Sequence, residues 1–107
     1  CFMSEKLGTV RIAPNVLATI AKRAALAVPG VARMAEGPAF VLRNWAHEGV
    51  RVEVSNDTVA IELYLIVEPG KSMLEISRAV QTQVARAIQD LLGMPVKEVD
   101  VHILDVA

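Results

Sequence analysis

The stretch VRVEVSNDTVAIELYLIV, residues 50–67, decides the fold. Val50, Val52 and Val54 alternate with Arg51, Glu53 and Ser55. After Asn56-Asp57 the alternation resumes with Val59, Ile61, Leu63, Leu65 and Val67. A period of two is the mark of a strand with one buried face. Asn and Asp both tolerate positive φ, so the pair predicts a two-residue hairpin turn. That turn sets Val54 opposite Val59, Val52 opposite Ile61 and Val50 opposite Leu63. On the other face Arg51 meets Glu62. All the apolar pairs share one face and a charge pair forms on the other, an agreement that a one-residue slip would destroy.

Working upstream, Thr9–Ala13 alternates with Val10 and Ile12 on one side and predicts a short strand. Pro14 suits the first position of a helix, where its missing N–H is not needed. Val16, Leu17, Ile20, Ala21, Ala24 and Val28 recur at helical steps and predict one apolar stripe, with Lys22 and Arg23 off it. Pro29-Gly30 stops that helix. Downstream, Pro69-Gly70 breaks the second hairpin strand, and Ser72 with Glu75 forms a capping box. Ile76, Val80, Val84, Ala87, Ile88 and Leu91 predict the face of a second helix, stopped by Gly93 and Pro95. Val96–Val106 sets Val99, Val101 and Ile103 against Asp100 and His102, a last strand whose alternation lapses at Leu104-Asp105. The order is β-α-β-β-α-β. It implies an α+β two-layer sandwich: a four-stranded sheet, mixed or antiparallel, with both helices on one face. Residues 31–49, which hold Phe40, Val41, Leu42 and Trp45, read as a long link.

The bulk numbers bound the rest. A chain of 107 residues makes one domain, expected over 8–107 behind a tail at 1–7. Cys1 and Phe2 precede Met3 and read as a vector-derived remnant. With 53% apolar but only 4% aromatic residues, the core has to be aliphatic. A net charge of −1 gives the chain no general pull toward nucleic acid or anionic lipid. One cysteine permits no internal disulfide and fits a cytoplasmic setting. The most apolar run, Val59–Val67, is broken by Glu62 and falls well short of the roughly 20 residues that span a bilayer.

The residues offer no catalytic constellation. His47 and His102 stand apart from any nucleophile or partner motif, and both read as surface residues. No cluster has metal-ligand spacing, no glycine-rich phosphate loop is present, and no cofactor is expected. RNA modules of this topology stack bases on strand aromatics, but Tyr64 is the only aromatic of the hairpin. Metabolite-binding modules of this topology use a glycine in the first strand-to-helix turn, where this chain has Ala13-Pro14-Asn15. Glu75, Arg78, Gln81, Arg86, Gln89 and Asp90 read as a solvated helix face. The 38–46 segment reads either as a lid over the core, the plainer alternative, or as an exposed contact patch. By the hairpin register the sheet face away from the helices carries Arg51, Glu53, Ala60, Glu62, Tyr64 and Ile66. The candidate interface residues are Phe40, Leu42, Trp45, Tyr64 and Ile66, and a homo-oligomer is expected through the Tyr64–Ile66 end, the 38–46 segment, or both.

Two stretches resemble a known family. GTVRIAPNVLATIAKRAALAVPGVARM, residues 8–34, carries Gly8, Val10 and Ile12, the pairs Val16-Leu17, Ile20-Ala21 and Ala24-Ala25, and Val28-Pro29-Gly30-Val31. Residues 50–106 add the valine hairpin, the V-Q-x-x-V-x-x-A-I run at Val80–Ile88 and G-M-x-V-x-E-V-D-V-H-I at Gly93–Ile103. In order and spacing they resemble the bacterial alkaline-shock, or envelope stress response, protein family. Ala13-Pro14 departs from it, since the family often has Ser or Asp there. The resemblance implies a non-enzymatic cytoplasmic protein of cell-envelope homeostasis. The resemblance also implies that such a protein can be held at the membrane through a protein partner, in some members a small membrane-anchored one. With the self-association expected from the sheet, the first reading is a scaffold or interaction protein. Two other readings stay open: a regulatory module for a small metabolite or an enzyme of lipid synthesis, and, behind it, an RNA-binding module.

Overall fold

Asn56 and Asp57 do sit at positive φ, 50° and 67°, and they close the expected hairpin. The computed structural model describes residues 11–35 and 49–107. Its elements are α1 (Pro14–Leu26), β1 (Val31–Met34), β2 (Val50–Ser55), β3 (Thr58–Val67), α2 (Met73–Leu92) and β4 (Val96–Val106). β2 pairs antiparallel with β3 in the register read from the sequence, Val54 with Val59, Val52 with Ile61, Val50 with Leu63 and Arg51 with Glu62.

β3 is the spine of a mixed four-stranded sheet. β4 runs parallel along one of its edges from Val59 to Val67. β2 and β1 share the other edge end to end, β2 opposite 58–63 and β1 opposite 65–67. They meet at Tyr64, whose N–H donates to the Gly49 carbonyl and whose carbonyl accepts from Ala35 N–H, both at 2.8 Å. β1 and β2 are thus one interrupted strand, and residues 36–48 connect its halves.

β1 lies in the segment read above as a link. It is only four residues long, and its pairing slips between Val31 and Arg33, so no clean alternation marks it. Of the strand expected over Thr9–Ala13, Thr9 and Val10 lie outside the described residues. Arg11–Ala13 has no strand pairing, and Ala13 is the extended N-cap of α1.

Val59, Ile61, Leu63, Leu65 and Val67 are buried on one face of β3, and α1 and α2 pack there against the sheet and each other. α2 buries Ile76, Val80, Val84 and Ile88 as expected, capped by Ser72, which accepts from Glu75 N–H. Leu91 does not join them and is 68% exposed. The stripe advances in steps of four and continues to Leu92, which packs against the core. α1 turns largely the expected face inward, with Ile20 and Ala24 packed against the core and Val28 buried just beyond its end, but the face is shifted at its margin. It buries Leu17, Ala18, Ala21 and Ala25 and leaves Val16 exposed. In a helix this rich in alanine two stripes one residue apart are almost equally apolar, and the small Cβ atoms of Ala18, Ala21 and Ala25 let α1 approach closely.

Candidate interaction surface

With both helices on one side, the sheet presents its second face. Ala60, Glu62, Tyr64 and Ile66 alternate with the core residues of β3 and are half-buried there. Register places Arg51 and Asp100 on either side of Glu62, His102 beside Tyr64, and Arg33 and Asp105 on either side of Ile66.

Glu62 is the hub. Its Oε1 lies 3.5 Å from Arg51 Nη1, and its Oε2 lies 3.5 Å from His102 Nε2. Tyr64 donates its hydroxyl to Oε2 at 3.2 Å. The Tyr64 ring stacks on His102 with centroids 4.6 Å apart and planes inclined by 10°. Next to this network a shallow groove of about 220 Å³ is lined by Arg51, Glu53, Glu62, Glu98 and Asp100. Among the described residues no three His, Cys, Asp or Glu side chains converge as a metal site would require.

Burial, and then the negative charge and hydrogen bond of Glu62, raise the Tyr64 pKa above the usual 10. The phenol therefore holds its proton and acts as a donor that orders Glu62. The sign follows: the folded chain binds this proton more tightly than the unfolded one. The resulting stabilisation is complete below pH 10 and is lost as pH rises through the folded-state value. Tyr64→Phe is expected to flatten the fall in stability above pH 10, read by denaturant unfolding at several alkaline pH values. An unchanged slope would mean other groups govern it.

The Arg51–Glu62 pair is partly exposed, at 56% and 33% of the side chains. Reversing either charge alone is expected to cost roughly 0.2–1 kcal/mol, and reversing both to recover most of it. Equilibrium unfolding of the three variants checks this, and strictly additive losses would show no coupling.

Of the expected interface residues, Tyr64 and Ile66 sit together on this face. Phe40, Leu42 and Trp45 lie outside the described residues, as does His47, so the choice between lid and patch for 38–46 lies there too. His102 is partly exposed, as expected of a surface residue, yet it holds Tyr64 and approaches Glu62. The only hint of this in the sequence was its place on the polar side of β4, because the β3–β4 offset is set by packing of the α2 crossover. Gln81 also does more than face solvent: its Nε2 donates to the Val99 carbonyl at 3.1 Å.

Comparison with known proteins adds the family. Solved structures with this fold include the MamM CTD in a nickel form and in a copper form. Each matches with a TM-score of 0.61 and 18% identity over 84% of this chain, and over 95% and 94% of the respective MamM chains. At that identity the likeness shows the fold alone. Two proteins of Bacillus subtilis (strain 168) are similar in sequence. Uncharacterized protein YqhY is 31% identical over 105 residues, which cover 94% of this chain and 78% of the relative. Uncharacterized protein YloU is 29% identical over 109 residues, which cover 94% of this chain and 90% of the relative. Residues 3–107 match the model of the alkaline shock protein 23 family, described by a cell envelope-related function, and the chain belongs to that family.

Proposed function

We propose that the chain is a non-enzymatic interaction protein of the bacterial cell envelope, which self-associates and docks to a membrane-associated partner from the cytoplasmic side. The observation that carries this reading is the uncovered second face of the sheet. Its Tyr64–Ile66 end pairs an ordered aromatic with a half-buried isoleucine, a combination suited to anchoring a partner. No helix among the described residues is long and apolar enough to cross a membrane, so the reading gives membrane contact to the partner. The raised Tyr64 pKa also speaks against this network as a base at neutral pH.

The test is capture from detergent-solubilised bacterial membranes on immobilised protein, with the bound protein identified by mass spectrometry. Capture of one membrane protein is expected from the parent chain, and its loss from Tyr64→Glu and Ile66→Glu. Arg86→Glu, on the far side of α2, should still capture it. Equal capture by all four proteins would show that the open face is not the contact.

A further inference from the structure

We propose that two copies of this chain pair edge to edge through β4, antiparallel and centred on Val101. This rests on the self-association proposed above and names its surface. β4 is eleven residues long and, among the described strands, pairs only with β3. Its outer edge presents backbone donors and acceptors along an exposed strand, a standing template for another strand.

The sequence of β4 selects both the occupant and the register. In a two-fold antiparallel pair, opposed residues lie on the same face, so the axis must pass through a residue position. An axis at Val101 sets Asp100 opposite the partner's His102 and Lys97 opposite the partner's Asp105. It also sets Val99 opposite the partner's Ile103 and Val96 opposite the partner's Val106. Opposite charges (Lys97 with Asp105), a carboxylate facing an imidazole (Asp100 with His102) or apolar side chains meet at these positions, and only Glu98 against the partner's Leu104 is mismatched. Neighbouring registers fail. An axis at Asp100 brings two Asp100 carboxylates together, and an axis at His102 sets Val99 against the partner's Asp105. An axis at Val99 sets Glu98 against the partner's Asp100.

The geometry agrees. Lys97 and Leu104 have no counterpart on β3, so they mark irregularities in β4, and regular strand runs between them. Val101 lies inside that stretch. Leu104 and Val106 remain 56% and 39% exposed in the single chain and flank the proposed contact. The Gln81 amide, which covers the Val99 carbonyl, and the Asp105 carboxylate, which accepts from Val106 N–H, are contacts a second strand would displace. Rotation about an axis normal to the sheet keeps both open faces on one side. The two Tyr64–His102 stacks then share a single surface twice as wide for the membrane partner.

The experiment combines charge reversal with cross-linking, with folding checked by circular dichroism. Lys97→Asp and Asp105→Lys each turn two attractive pairs into two repulsive ones, and each is expected to weaken the dimer about tenfold or more. Mixed in equal amounts they are expected to restore it, because every cross-strand pair is then opposite in sign. Sedimentation velocity reads all three. In a Cys1→Ser background, Val101→Cys is expected to form a disulfide-linked dimer under mild oxidation, since Val101 faces its own copy. If the parent dimerises while both charge variants dimerise equally well and Val101→Cys does not cross-link, the β4 edge is wrong and self-association stands. A parent that stays monomeric overturns both.

Discussion

Leu63→Ala is expected to destabilise the chain by about 2–5 kcal/mol, a large share of the roughly 5–15 kcal/mol that holds a domain of this size together. Leu63 is fully buried at the middle of β3, paired with Val50 on one side and Val101 on the other. The aliphatic core above it is filled from two helices, and β3 itself is hydrogen-bonded to strands on both sides, so the cavity has little room to collapse. Chemical denaturation checks the figure. A loss under 1 kcal/mol would mean that the helices do not pack on this face as described. The open-face change Ile66→Ala removes a side chain of similar size from a half-exposed site and is expected to cost clearly less. The contrast separates core from surface on neighbouring positions of one strand.

The second large effect is expected at Gly49. Its φ is +74°, and a Cβ there would sit 3.0 Å from the Ala35 carbonyl oxygen, the Tyr64 carbonyl oxygen and Met34 Cβ. Two of these are backbone atoms of the seam where β1 and β2 meet on β3, and they cannot swing away. Gly49→Ala therefore meets a backbone strain of about 1–3 kcal/mol and, on top of it, a crowding cost of similar size. Gly70 is the internal control. Its φ is +82°, but an added Cβ would have nothing within 4 Å, so Gly70→Ala carries the strain alone. Thermal unfolding of the two variants should show Gly49→Ala losing clearly more. Equal losses would mean that the seam is not tight. Because Tyr64 bonds to both sides of the seam, Gly49→Ala should also loosen the Tyr64–His102 stack, visible as altered ring shifts in NMR spectra.

The hairpin was legible to the residue, since turn chemistry, apolar alternation and a cross-strand charge pair all point to one register. The α2 face was legible up to Ile88 because large β-branched side chains stand in steps of four. α1 was legible as a helix and in most of its inward face. The miss is at the margin, where Val16 is exposed and Ala18 and Ala25 are buried, because alanines on adjacent stripes carry too little contrast. β1 was not legible, because four residues with an irregular pairing hold no period. On the open face, Arg51 and Glu62 followed from local register, and Tyr64 and Ile66 from alternation. The Tyr64–His102 stack did not, because it depends on a parallel offset across the whole α2 crossover. The Gln81 contact with β4 escaped for the same reason: nothing local ties residue 81 to residue 99.

The mass of the parent chain in solution tests the account most directly. Light scattering coupled to size exclusion, at tens of micromolar protein and moderate salt, is expected to give at least twice the 11.5 kDa of a single chain. The Lys97→Asp variant should move back toward that single-chain value. A clean monomer of 11.5 kDa for the folded parent across that concentration range would contradict self-association, and with it the β4 edge as the meeting surface.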